Sequence, residues 1–282
     1  MANPNVIEIR DLCYRVGNRY LINHVNFEVK KGDRWLIFGL NGSGKTTLLS
    51  IIAGFQSYTS GTVQVLDHCF TEKNLFELRK KIGFVSHSFF SKYYKNETAM
   101  EVVLAGLFGH FGLESDIRSK DIAEARAILK ELDILEKKDQ PFCSLSKGEQ
   151  QDILIARAFI CKPKILLLDE PCTGLDIYAR ERMMHVFEDL SRSDDVTIIY
   201  VTHYLEEIKP YLDKAALLKY GRFVTFGNAE KVLNDVNLSK LISHDVKLHQ
   251  CTGGPLYTKI TTASNLVSLC YGGERECQEQ EI

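Results

Sequence analysis

Residues 39–46, Gly39-Leu40-Asn41-Gly42-Ser43-Gly44-Lys45-Thr46, constrain this chain more than any other stretch. They follow a short apolar run at 35–38 and precede a helical stretch at 46–53 that Gly54 ends. The pattern G-x-x-x-x-G-K-[ST], set between a strand and a helix, is a loop that cradles phosphates. Its glycines let successive backbone N–H groups curl round the β- and γ-phosphates, and the helix N-terminus turns the positive end of its dipole toward them. Lys45 would bridge the phosphates, the Thr46 hydroxyl would ligate Mg²⁺, and Thr47 counts with the loop as a nucleotide contact.

The rest of the chain supplies the layers such a loop needs. Residues 6–29 alternate apolar and polar on either side of Gly17-Asn18, which predicts an antiparallel strand pair. Apolar runs at 82–85, 165–168 and 196–201 predict buried parallel strands, with a helix near 177–192 between the last two. Helical periodicity between about 96 and 135 places Ile122, Leu129, Leu132 and Leu135 on one face and predicts a helical lobe, about 88–160, inserted in the core. Residues 215–219 and 222–226, hinged at Gly221, predict a closing hairpin, and 229–241 one short helix. The expected domain is 1–243, followed by a polar extension, 244–282, expected to be flexible.

With 282 residues, 45% hydrophobic, one sizeable core is expected. Thirty-five basic against 37 acidic residues give a net charge of −2, so nucleic acid is disfavoured as a partner. No apolar run reaches the roughly 18–20 residues that cross a bilayer, and residues 1–10 lack a secretory pattern, so a cytoplasmic chain is expected. The eight cysteines, at 13, 69, 143, 161, 172, 251, 270 and 277, include no Cys-x-x-Cys pair and fit reduced thiols in apolar segments rather than a disulfide frame or a zinc site.

A second chemical cluster sits at the end of the 165–168 run, where Asp169-Glu170 stand at the carboxyl edge of a buried strand. Asp169 would hold Mg²⁺ and Glu170 would polarise an attacking water. Upstream, Ser144-Leu145-Ser146-Lys147-Gly148-Glu149-Gln150-Gln151 resembles the L-S-G-G-Q signature of the nucleotide-binding domain of ABC proteins, a resemblance that covers about residues 6–240. Read as a plain helix start, Ser146 and Glu149 also form a capping box, and the two readings are compatible.

The resemblance implies an α/β P-loop NTPase core of ABC type with an antiparallel β layer and a helical lobe. Within the family pattern, Ser146 and Gly148 would donate to the γ-phosphate of ATP held by an opposite cassette. Thr173-Gly174-Leu175-Asp176 looks like the loop by which two cassettes touch, and His203 like the switch histidine. The implied activity is ATP hydrolysis with Mg²⁺, by two copies or a copy and a related ATPase, as the energy subunit of a transporter with a separately encoded permease. A soluble cassette acting on a protein or nucleic-acid complex is the alternative. The form of the signature and residues 201–208 look most like the single-cassette, molybdate-type ModF and YlmA group.

Three features depart from the family pattern. His87 stands where the family has a glutamine touching Mg²⁺ and water; Val16 stands where an adenine-stacking aromatic is expected, with Tyr14 or Tyr20 as substitutes; Lys147 and Glu149 replace a glycine and the glutamine of the signature. The aromatics of residues 88–94 fit two roles, gripping a partner helix or packing the lobe on the core.

Overall fold

The structure, a computed structural model, describes residues 4–113, 117–192, 195–250 and 256–260. Two long strands, β1 (Asn5–Val16) and β2 (Arg19–Lys30), pair antiparallel around the Gly17-Asn18 turn. Their alternation places Ile7, Ile9, Leu12, Ile22, Val25, Phe27 and Val29 in the core. With β4 (Ser60–Val65) and β5 (His68–Cys69) they form a four-stranded sheet in the order β2-β1-β4-β5.

The second sheet carries the expected site residues at its strand ends. It comprises β3 (Arg34–Phe38), β6 (Ile82–Ser86), β7 (Ile165–Asp169), β8 (Thr197–Thr202), β9 (Lys214–Lys219) and β10 (Arg222–Asn228) in the order β10-β9-β3-β8-β7-β6. All neighbours are parallel except the β9–β10 hairpin. Every residue of β6, β7 and β8 is buried, as expected of strands covered on both faces. The order β3-β8-β7-β6 sets the carboxyl ends of four strands side by side, the edge at which open α/β sheets take ligands.

The helices are α1 (Lys45–Ile52), α2 (Leu75–Arg79), α3 (His87–Phe90), α4 (Ala99–Ala105), α5 (Ser119–Glu131), α6 (Lys147–Phe159), α7 (Ile177–Ser191), α8 (Ala229–Val232) and α9 (Asp235–Ile242). The helical lobe consists of α4, α5 and α6 packed on one another. Thr98 starts α4 through a capping box with Glu101. The buried stripe of α5 differs from the sequence expectation. It runs Asp121, Ala125, Leu129 at four-residue spacing, which leaves Ile122 exposed one position round the helix. Asp121 tolerates its buried place because Arg118 donates to both its oxygens, at 2.9 Å each.

Two further expectations change. The helix predicted at 229–241 is two helices, because Asn234 caps α9 through the Asn237 N–H at 2.9 Å and so starts a new helix after Leu233. Beyond residue 243, β11 (Val246–Gln250) and β12 (Leu256–Ile260) pair as an antiparallel hairpin, with Val246 buried. Leu248 N donates to Asp235 Oδ1 at 2.8 Å, fastening that hairpin to α9. The rest of the expected extension, 261–282, lies outside the described residues.

Of the described cysteines, Cys13 and Cys172 are buried thiols as expected, whereas Cys69 and Cys143 are exposed on a short edge strand and a one-turn helix. Cys251, Cys270 and Cys277 lie outside the described residues. Phe90 and Tyr94 are buried, and Arg157 sits over the Phe90 ring at 4.3 Å, so these aromatics pack the lobe on the core. Tyr93 is exposed and stacks on Phe111 at 4.1 Å. No helix among the described residues is long and apolar enough to cross a membrane.

Candidate nucleotide site

The phosphate loop joins β3 to α1 and is held from behind by its neighbours. Gly44 adopts φ +107°, and a Cβ there would lie 2.6 Å from Leu21 O, so only glycine fits. A Cβ at Gly39 would lie 2.4 Å from Leu218 O. Gly221, at the β9–β10 turn, donates its N–H to Ser43 O at 2.8 Å and accepts from Asn23 N at 2.9 Å. The loop is thus wedged between the β1–β2 hairpin and the β9–β10 turn.

In front of it opens a cleft of about 490 Å³, lined by Asn41, Gly42, Gly44, Lys45, Thr46 and Thr47 from the loop. His87, Asp169, Glu170 and Thr173 close it from the neighbouring strand ends and loops, and Arg19 and Lys147 also line it. Leu40 and Ser43 face a second cavity of about 420 Å³, beside Tyr220 and His244.

Lys45 is 5% exposed; its Nζ donates to Gly39 O at 2.8 Å and Leu40 O at 3.1 Å and lies 3.5 Å from Glu170 Oε1. Burial pushes its ammonium below the usual lysine range, opposed by the Glu170 and Asp169 carboxylates. Asp169 ends β7, almost fully buried. Its Oδ2 accepts from Ser86 Oγ at 2.6 Å. Burial raises its pKa, and the nearby hydroxyls of Ser86 and Thr46 oppose the rise. Its Oδ1 has no hydrogen-bond partner.

Glu170, the next residue, sits at φ +51°, a left-handed conformation that costs a non-glycine residue about 1 kcal/mol or more. The turn lifts its side chain out of the strand alternation, and its N–H is secured to Val201 O at 2.9 Å. There Glu170 Oε1 accepts from His203 Nδ1 at 2.8 Å. A carboxylate acceptor fixes the proton on Nδ1 of His203.

The signature segment starts α6. Ser146 Oγ accepts from Glu149 N at 3.3 Å and Glu149 Oε2 accepts from Ser146 N at 2.7 Å, so the capping box forms. Ser146, Gly148 and Asp176 do not line the cleft of their own chain. Asp176 caps α7, accepting from Ala179 N at 2.8 Å. Gly148 has open surroundings: a Cβ there would meet nothing closer than 3.7 Å.

Tyr14 does not serve as a stacking ring, because it packs on the core and its hydroxyl accepts from Gln56 Nε2 at 3.1 Å. Tyr20 is not among the cleft-lining residues; Arg19, its neighbour, is. Sequence reasoning did not place Ser86 or Arg19 in this neighbourhood, and it named Thr173 and Gln150 only as part of the cassette-contact loop and of the signature. Ser86 is brought to Asp169 by the β6–β7 register, which the sequence does not show.

A family model described as ABC transporter matches residues 22–173, more than half of the chain and the whole span from the phosphate loop to the acid pair. The chain belongs to the ABC transporter family. This ABC cassette is 34% identical over 262 residues to the uncharacterized ABC transporter ATP-binding protein YlmA of Bacillus subtilis (strain 168), covering 92% of this chain and 99% of that one. It is 30% identical over 228 residues to the molybdate import ATP-binding protein MolC of Haemophilus influenzae, covering 81% and 84%. Among solved structures it resembles a dimeric post-hydrolysis state of an ATP-binding cassette bound to ADP and Pi, at 27% identity and TM-score 0.64, covering 79% of this chain and 98% of that one. The expected family, its ABC-type P-loop fold and the likeness to YlmA are borne out, and the chain is an ABC-type ATPase.

Proposed function

We propose that this ATPase is the energy subunit of a transporter: two copies close over ATP and Mg²⁺, and their opening after hydrolysis moves a separately encoded membrane protein at the cytoplasmic face. The observation that carries the catalytic part is the position of Glu170, whose carboxylate is held between His203 and Lys45 at the edge of the phosphate-loop cleft. There it can take a proton from water attacking a γ-phosphate, while His203 orients it and Lys45 neutralises charge on the phosphate oxygens.

The donor set at the metal position fits Mg²⁺. It offers the Thr46 hydroxyl and the buried, unpartnered Oδ1 of Asp169, both hard oxygens. Among the described residues no cluster of three or more His, Cys, Asp or Glu could hold a metal by itself, which suits an ion that arrives with phosphate oxygens. When bound, Mg²⁺ would neutralise charge between the β- and γ-phosphates.

The open space at Gly148 supports the two-copy mechanism. Packing inside the chain does not require glycine there, whereas approach of a phosphate from outside does. The Ser146 hydroxyl, Gly148 and Asp176, none of which lines its own chain's cleft, would then face the nucleotide of the second copy.

The test is association of Glu170→Gln protein by light scattering with Mg-ATP against Mg-ADP, coupled to a pull-down from native membranes. ATP-dependent dimers and a co-purified polytopic membrane protein are expected. Dimers that recover only soluble proteins would replace the transporter reading with the soluble-cassette one. Absence of dimers would overturn the sandwich.

A further inference from the structure

His87 occupies the place where the family's glutamine would reach the metal and the attacking water, and its neighbours determine what it offers there. It opens α3 directly after β6 and lines the nucleotide cleft. Its Nε2 lies 2.6 Å from Oε1 of Gln150, 63 residues away on the signature helix α6. The amide nitrogen of Gln150 donates to two backbone carbonyls, Phe142 O at 3.0 Å and Leu145 O at 3.1 Å.

This arrangement permits one orientation of the Gln150 amide. Flipped, its oxygen would face two carbonyl oxygens that have no hydrogen to give. With Oε1 toward the imidazole, the acceptor carries no proton, so Nε2 of His87 must be the donor. In a neutral imidazole Nδ1 is then bare.

We propose that Gln150 is a positioning residue that holds His87 as the Nε2–H tautomer, so that Nδ1 serves in the nucleotide cleft as the hydrogen-bond acceptor that a glutamine amide oxygen would otherwise provide. The same amide fastens the turn Phe142–Leu145, immediately before Ser146. One side chain therefore sets both the signature turn and the acceptor at the neighbouring strand end. In this account His87 preserves the chemistry of the glutamine it replaces: an acceptor on a rigid ring, its polarity dictated from α6. The catalytic consequence rests on the nucleotide-site assignment above; the tautomer itself does not.

Two measurements separate those claims. Long-range ¹H–¹⁵N spectra of the full chain without nucleotide, at a pH of about 8.5 where imidazoles are neutral, report which nitrogen carries the hydrogen, with the His87 signals assigned from their loss in His87→Gln. The wild type is expected to show protonated Nε2 and bare Nδ1, and Gln150→Met to show an average of two tautomers. A proton on Nδ1 in the wild type, or identical signals in both proteins, overturns the proposal.

The second measurement is a double-mutant cycle on kcat. Gln150→Met alone should lower kcat about tenfold, the worth of one misdirected hydrogen bond, with ATP affinity unchanged. In a His87→Gln background the same change should cost about twofold or less, because an amide oxygen accepts whatever Gln150 does. Equal losses in both backgrounds would mean that Gln150 serves the signature turn alone, and the proposal fails. His87→Leu, which has no acceptor, should lose kcat as Gln150→Met does; wild-type kcat there also overturns it. A wild-type protein that hydrolyses no ATP would sink the nucleotide-site assignment while the spectra still judge the tautomer.

Discussion

Asp152 lies on α6, one turn beyond the start of the signature helix, and is 8% exposed. Its Oδ2 accepts from Arg182 on α7 at 3.2 Å, and its Oδ1 has no partner. Arg182 also donates to Leu132 O at 2.8 Å, so the pair ties α6, α7 and the end of α5 together. Burial raises the Asp152 carboxyl to about 6 from 3.8, and Arg182 offsets only part of that rise. A rise of roughly two units, at 1.36 kcal/mol each, corresponds to about 3 kcal/mol.

Because folding increases proton affinity here, the stabilisation from Asp152 is complete below about 3.8 and is lost as pH rises through about 6. At pH near 8 the ionised group therefore costs the fold about 3 kcal/mol relative to the protonated one. Asparagine keeps the shape and an acceptor for Arg182 but cannot ionise. Urea unfolding of wild type and Asp152→Asn at matched pH should give a stability difference that moves in favour of the variant by about 3 kcal/mol between roughly pH 4 and pH 7, then levels. Other titrating groups cancel in the difference. A difference that is flat across that window, or that moves toward the wild type as pH rises, would refute the claim that Asp152 is a desolvated carboxylate underpaired by Arg182.

Glu170→Gln should retain ATP affinity and lose turnover by a factor on the order of 10² to 10⁴, measured as phosphate release; turnover at the wild-type rate would remove Glu170 as the base. Gly148→Ala should unfold at the wild-type temperature, since a Cβ there meets nothing within 3.7 Å, yet abolish ATP-dependent association in light scattering. Gly221→Ala should lower stability by about 1–3 kcal/mol in denaturant titration, because that position has φ +74° and its Cβ would lie 2.4 Å from Leu21 O. ATP and GTP should be used with kcat/KM values within about tenfold of each other, because Arg19, which lines the cleft, has a planar guanidinium able to stack on either base. A strong preference for ATP would point to base contacts beyond Arg19.

The sequence foretold the grouping of those residues whose place is tied to chain spacing. The phosphate loop, Asp169-Glu170 and His203 each follow an apolar run, and a parallel sheet brings the ends of such runs to one edge. What the sequence did not disclose depends on which runs become neighbours. The β6–β7 register delivers Ser86 to Asp169, and the lobe's packing delivers Gln150 to His87 across 63 residues. The stripe on α5 was misplaced because Asp121, a residue type expected outside, is buried by its pairing with Arg118. The α8–α9 break was legible in principle, since Asn234 is an N-cap residue type, but the apolar spacing across it mimics one continuous helix. The β11–β12 hairpin escaped notice because its strands are short and lie in a polar stretch.

The wedge behind the phosphate loop bears on how the molecule is made. Residues 39–46 leave the ribosome well before the surfaces that back Gly39 and Ser43, which belong to Leu218 and Gly221 almost 180 positions later. A nascent chain complete to residue 200 thus carries the whole phosphate-binding motif without the scaffold that shapes it. Nucleotide, which stabilises only what it can bind, enters as a late ligand that seals a finished domain and gives little help to the half-made one. The β1–β2 hairpin, by contrast, has both strands and its turn within residues 5–30, so its pairing needs nothing from the later chain.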